Sequence, residues 1–252
     1  MIPPSLLLSR YRNSFLLHLF RHLDRIRTSK SKQLTKILCT ELTYLYELAC
    51  IITYKDIQKY EIDEIKKWVL SLDAAFDLEH MKVIFQEKMV ELNLRAFQPN
   101  DYTYTFTSIW DFIHFLSLLV DDMVNNRDKL KHDQIINHIR QIKAIYYNLF
   151  FVLNCPMCRD HYLSVKGFMI VALERIEIAM HKEKFGNKIL LINDIVPANV
   201  TKNILMKYGT LYSSMAFHNH INDYRFVQRN ISPPANLEKM DWEHYKSLLN
   251  IV

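Results

Sequence analysis

Residues Cys155, Pro156, Met157 and Cys158 set two thiols two residues apart, with His161 and Tyr162 following about one helical turn later. Proline suits the first position of a helix, because the N–H it lacks would have no partner there. That places Cys155 at the N-cap and Cys158 in the first turn, where unpaired N–H groups and the positive dipole end stabilise a thiolate, the reacting form of cysteine. The spacing also lets the two sulfurs close a small disulfide ring across one turn, so the pair is built as a redox device. Two other chemistries share the pattern. Cys155, Cys158 and His161 could bind zinc, but structural zinc calls for a fourth ligand and no second Cys/His pair lies nearby at short spacing. A thioredoxin-like enzyme also carries C-P-x-C, but within strands alternating with helices. Two plain buried thiols are the reading without chemistry.

The elements that must position this pair are helices. The 252 residues are half hydrophobic and include only three glycines, Gly167, Gly186 and Gly209. Hairpins and phosphate-cradling loops draw on glycine for positive φ, so nucleotide loops of the Rossmann or P-loop kind have no material here. The expected fold class is all-α. Leu34, Ile37, Leu38, Leu42, Leu45, Leu48, Ala49 and Ile52 recur at three and four residues and predict an amphipathic helix. Cys39 and Cys50 lie on it three turns apart, too far to bond each other, and read as core thiols. Further helices are expected over about 56–71 and 78–92, the second capped by Asp77. The proline-, asparagine- and aspartate-bearing segment 95–107 marks a domain boundary, dividing residues 1–95 from 96–252. Beyond it, helices are predicted over about 107–126, 132–153, 156–185 and 201–228, with Gly186 as a helix stop and a short last helix near Trp242.

Two of these helices carry polar side chains where a core helix is expected to be apolar. Trp110 and His114 lie four apart, on one face of a helix rich in Phe, Ile and Leu. His218, Ile221, Asn222, Arg225 and Arg229 form a second stripe, with Asn219 beside it. One histidine on an apolar face is usually a satisfied core residue, but buried polar groups need partners. A cofactor with an aromatic ring and phosphates would supply them: Trp and His stack on rings, Asn bonds their edges, and Arg holds phosphate. A dithiol needs an electron acceptor, and a flavin fits that need.

These motifs resemble the Erv/ALR-type FAD-linked sulfhydryl oxidases, whose pattern is W-x-x-x-H on one helix, C-x-x-C opening another, and H-N-x-V-N on a third. Here they read Trp110 to His114, Cys155 to Cys158, and His218-Asn219-His220-Ile221-Asn222, in that order. Stretches along nearly the whole chain, such as 102–124 and 217–230, are similar to the baculovirus members of that group. The resemblance implies a C-terminal four-helix FAD-binding bundle, preceded by a helical domain like a degenerate copy of it, assembled as a homodimer. It implies that Cys155 exchanges with thiols of protein substrates, being the more exposed of the pair, that Cys158 lies against the flavin, and that dioxygen takes the electrons and becomes hydrogen peroxide. It assigns FAD to Trp110, His114, His161, His218, Asn219 and Asn222, with Arg225 or Arg229 for its phosphates and Lys239 and Trp242 as weaker contacts from the tail. No metal is implied. It also implies action in the nucleus of the infected insect cell and association with virions. The chain departs from the pattern in lacking a second C-x-x-C shuttle and the structural disulfide of many relatives. The usual basic position after H-N-x-V-N falls near Val227, between Arg225 and Arg229.

The net charge of +5 gathers before residue 37, where Arg10, Arg12, Arg21, Arg25, Arg27, Lys30, Lys32 and Lys36 face only Asp24. A solvated helix face is the expected use, and no nucleic acid is required. The N-terminus does not read as a signal peptide, and the apolar run 109–120 is too short to span a bilayer, so a soluble chain with no transmembrane segment is expected. From a different class, the alternative is a catalytically silent helical scaffold that binds a viral or host partner.

Overall fold

The computed structural model describes residues 2–194 and 202–251. The described chain is overwhelmingly helical, in the order α1 (Leu6–Thr28), α2 (Lys32–Tyr54), α3 (Lys59–Ser71), α4 (Leu78–Glu91), α5 (Phe106–Asn125), α6 (His132–Asn148), α7 (Pro156–Val165), α8 (Gly167–Lys184), strands β1 (Leu190–Ile192) and β2 (Ile204–Met206), α9 (Gly209–Gln228) and α10 (Trp242–Leu248). It divides into two compact units, one of residues 10–112 and one of residues 1–9 with 113–252. The division falls inside α5, so that helix carries Trp110 in the first and His114 in the second.

The unit of residues 10–112 is built on amphipathic helices that cap as their sequences suggest. Ser31 accepts from the Leu34 N–H at the start of α2 and Asp77 from the His80 N–H at the start of α4, each removing one orphan donor. Leu19, Leu23, Leu42, Leu45, Ile65, Phe85 and Met89 meet in its core. By length and composition α2 is apolar enough to cross a membrane, but 56% of that stretch is buried inside the protein, which is the behaviour of a core helix.

Of the basic residues of α1, Arg10 and Arg12 are exposed, as expected of a solvated face, while Arg21, Arg25 and Arg27 are used differently. Arg27 is 8% exposed and donates to Asp24 and to the Asp73 carbonyl. Arg21 and Arg25 lie 5.4 and 5.5 Å from the centre of the Tyr104 ring, an arrangement favoured by attraction of cations to the ring face. Arg10 forms a two-pronged bond to Asp111 at 2.8 and 3.0 Å. The stems of these long side chains cover apolar surface while their heads find partners; Lys30, Lys32 and Lys36 stay exposed.

In the second unit α6 and α8 pack together, held at the edge by Arg140 and Lys143 on Glu177. Two expectations change here. The helix foreseen over 156–185 is interrupted at Lys166, which ends α7 and begins α8. The helix foreseen from 201 begins at Gly209, because residues 204–206 instead pair with 190–192 as a short parallel ladder; residue 201 lies outside the described residues. Gly186 does stop α8: at φ 93° its N–H bonds the Glu183 carbonyl while that of Asn187 bonds Lys182, the paired closure that favours glycine.

Candidate redox and cofactor site

Cys155 is the N-cap of α7, with Pro156 in the first turn. Its sulfur accepts the Cys158 N–H at 3.2 Å, and the two cysteines are joined as a disulfide with Cα atoms 5.1 Å apart. Both are half-buried. The helix is fixed from both sides: Arg159 Nε donates to the Leu153 carbonyl at 2.6 Å, and the buried Tyr162 hydroxyl donates to the Tyr146 carbonyl of α6. The disulfide thus sits on a turn that cannot easily swing, over a helix end suited to a leaving thiolate.

His161, one turn beyond Cys158, stacks on Tyr224 with ring centres 3.4 Å apart. His220 lies 5.6 Å from His161 and 5.1 Å from Phe168. Nε2 of both histidines is buried without a hydrogen-bond partner, and burial together with His220 lowers the pKa of His161. Two orphaned ring nitrogens beside a disulfide are what the polar edge of a bound ring system would satisfy, so these residues fit a flavin.

The second cluster joins residues far apart in sequence. His114 is 2% exposed; its Nδ1 lies 2.8 Å from Ser214 Oγ and its Nε2 lies 3.2 Å from His218 Nδ1. Tyr245 of α10 meets the His114 ring edge to face, with centres 5.5 Å apart. Burial pushes the pKa of His218 down to about 4, so that imidazole is neutral at physiological pH. Helix α9 therefore offers two stripes. Ser214 and His218, with Asn222 and Arg225 continuing at the same spacing, face α5 at their upper end, while Phe217, His220 and Tyr224 face α7 and α8.

The start of α9 is set by Asp121, a buried carboxylate on α5 that accepts the N–H groups of Thr210 and Leu211 at 3.1 and 2.8 Å. Burial raises its pKa to about 7 against the pull of those donors. This clamp holds the two histidine-bearing helices in one relative position.

The other expected site residues are placed as follows. Asn219 spends its amide on the Met240 backbone, donating to the carbonyl at 3.0 Å and accepting the N–H at 2.9 Å, and so ties the tail to α9. Asn222 is half-buried and Arg225 exposed, the latter with its guanidinium 4.7 Å from the centre of the Phe226 ring. Lys239 pairs with Asp223 at 2.6 Å; Trp242 packs on Tyr212 and Tyr245. Trp110 is half-buried one turn before His114. A cleft of about 200 Å³ between α5, α8, β2 and α9 is lined by Asp121, Phe168, Arg175 and Tyr212 among others, and by none of the expected site residues. Among the described residues no group of three or more His, Cys, Asp or Glu is arranged to hold a metal ion.

Sequence reasoning passed over His220, Tyr224, Ser214 and Asp121. The first two follow Phe217 at helical spacing, and Ser214 precedes His218 by one turn, so periodicity alone could have raised them. Nothing local points from Asp121 to the start of a helix near residue 210.

Fold and site together define a helical protein with a disulfide that caps a helix, followed one turn later by a histidine that is paired with a second one on α9. The chain matches the Baculovirus P33 family over residues 5–251 and belongs to it. Over the whole of both chains it is 49% identical to a protein of Autographa californica nuclear polyhedrosis virus named FAD-linked sulfhydryl oxidase. It is 43% identical, again over the whole of both, to the 33 kDa early protein of Orgyia pseudotsugata multicapsid polyhedrosis virus.

Proposed function

We propose that this protein is an FAD-dependent thiol oxidase that makes disulfide bonds in protein substrates. The observation that carries the reading is the Cys155–Cys158 disulfide at the N-terminus of α7, one turn from His161; the name of the 49% identical relative supports it. A substrate thiolate attacks Cys155 Sγ, forming a mixed disulfide and breaking the Cys155–Cys158 bond. Cys158 leaves as a thiolate in the first turn of α7, where the helix end stabilises it. The second substrate thiolate then attacks the substrate sulfur of the mixed disulfide, so substrate departs oxidised and both cysteines are reduced. The chemistry a bound FAD would supply is acceptance of the electron pair from the reduced Cys155 and Cys158, with dioxygen as the final acceptor and hydrogen peroxide as the product.

His161 and His220 would meet the polar edge of the cofactor with their orphaned nitrogens, His114 and His218 would hold it from α5 and α9, and Trp110 and Asn222 would complete the contacts. Arg225, exposed on the same stripe, is the candidate for its phosphates. Asn219 contributes by fixing the tail. Residues 1–95, the proposed degenerate domain, take no part in the chemistry, since they contain no C-x-x-C. A homodimer working in the host nucleus and carried with virions belongs to the same proposal, resting on the family resemblance; sedimentation and fractionation of infected cells test those parts.

The test is the visible spectrum of the purified chain, followed by oxygen uptake with a small dithiol. A flavin band with uptake supports the oxidase. Absence of both after FAD is added refutes it and leaves the scaffold.

A further inference from the structure

We propose that Ser214 is a positioning residue that fixes the tautomers of His114 and His218, so that His218 presents Nε2 to the cofactor as a hydrogen-bond acceptor. The inference rests on the FAD reading above for its ligand, but the tautomers themselves are a property of this chain alone.

Ser214 is fully buried, and its hydroxyl lies 2.7 Å from the Leu211 carbonyl oxygen and 2.8 Å from His114 Nδ1. A carbonyl only accepts, so the single hydroxyl proton of Ser214 goes to Leu211. Towards His114 the hydroxyl is then an acceptor, and His114 must carry its proton on Nδ1. A second proton on Nε2 would make a buried imidazolium, which burial at 2% exposure opposes. Nε2 of His114 is therefore a lone pair, and His218 Nδ1, 3.2 Å away, must donate to it. His218 is also neutral, so its own Nε2 is left as an acceptor.

One hydroxyl thus sets the donor and acceptor pattern of two imidazoles on different helices, ending at α9. FAD has donors suited to such an acceptor: the isoalloxazine N–H, the sugar hydroxyls and the adenine amine. Free imidazole side chains favour the opposite tautomer, with the proton on Nε2. Without Ser214, His114 can take that form, donate to His218, and turn its partner's Nε2 from acceptor to donor.

The experiment is nitrogen NMR of the full chain labelled in its histidine rings, first without added flavin, with FAD affinity measured in parallel. Protons on Nδ1 of both His114 and His218 are expected in the unaltered chain. Ser214→Ala is expected to move the His218 proton to Nε2 and raise the Kd for FAD about tenfold, the loss of one well-placed hydrogen bond; Ser214→Thr, which keeps the hydroxyl, is expected to restore both. A proton on Nε2 of His218 in the unaltered chain overturns the proposal, and so does a Ser214→Ala chain with unchanged tautomers. If Ser214→Ala does not fold, the unaltered chain and Ser214→Thr still decide it. Should the chain bind no FAD, the ring-nitrogen signals still report the relay, so failure of the oxidase reading is distinct from failure of this one.

Discussion

Each unit holds a close pair of histidines and a pair of cysteines, and the two units treat them in opposite ways. In the unit of residues 10–112, His18 is stacked on Phe112 at 3.7 Å with Nδ1 unpartnered, and His22 donates to the Leu38 carbonyl at 2.9 Å. These rings serve as neutral packing, with burial and Arg25 lowering both pKa values, that of His22 to about 4. Cys39 and Cys50 are buried there, and burial raises both thiols, which keeps them protonated and inert. In the other unit the histidines are linked into a hydrogen-bonded relay and the cysteines cap a helix as a disulfide. The same residue types become core or chemistry according to whether they sit mid-helix among apolar neighbours or at a helix end with donors at hand.

The sharpest way to break that contrast is to exchange the cysteines' roles for serine. Cys155→Ser or Cys158→Ser is expected to lower oxygen uptake with a dithiol by at least about a thousandfold while the flavin band of the purified protein remains. Cys39→Ser and Cys50→Ser are expected to leave turnover unchanged and lower stability by about 1–2 kcal/mol, the cost of burying a hydroxyl. Full activity in either Cys155 or Cys158 variant would remove the mechanism.

Acidification separates the units next. His18 and His22 have folded pKa values below the unfolded one, so their contribution is present above pH 6.5 and is lost as pH falls towards 4; His22 alone is worth about 3 kcal/mol across that window. In the other unit His218 acts in the same direction, but Asp121 opposes it: its folded value of about 7 lies above the unfolded one, so its contribution is complete near pH 4 and is lost as pH rises through 7. Hydrogen exchange at pH 7 and pH 5 is expected to show residues 10–112 losing the more protection on acidification. Equal loss in both units would contradict this assignment.

Removing the clamp of α9 is a smaller perturbation. Asp121→Ala leaves the Thr210 and Leu211 N–H groups without their acceptor and is expected to cost about 2 kcal/mol in denaturant unfolding, with weaker FAD binding because α5 and α9 lose their fixed relation. The smallest effect compares two helix caps of the same geometry. Ser31 and Cys155 each accept an N–H three residues on; Ser31→Ala is expected to cost about 1 kcal/mol of stability and no turnover, whereas the cap at Cys155 is also the reacting atom.

The helices, the placement of the disulfide on the first turn of α7 and the order of the three motifs were all legible in the residues, because periodicity, capping and proline act over a few positions. Less legible was where continuous helical patterns break. The interruption at Lys166 and the pairing of residues 190–192 with 204–206 depend on what packs against those segments, and no local signal announces either. Arg21, Arg25 and Arg27 of α1 depart from the expected solvated face for the same reason: charge counts say how many arginines there are, and only neighbours such as Tyr104 and Asp73 say which of them the fold consumes.

By itself the sequence determined that this is a helical chain, that Cys155 and Cys158 share one turn, and that His114, His161 and His218 each stand on a helix. Tertiary structure decided that His114 meets His218 and Ser214, that His161 meets His220 and Tyr224, that Asn219 holds the tail, and that Asp121 begins α9. The physical reason is that helical periodicity determines which side chains share a face, while the choice of which faces meet is made by packing and by the requirement that buried polar groups find partners far along the chain.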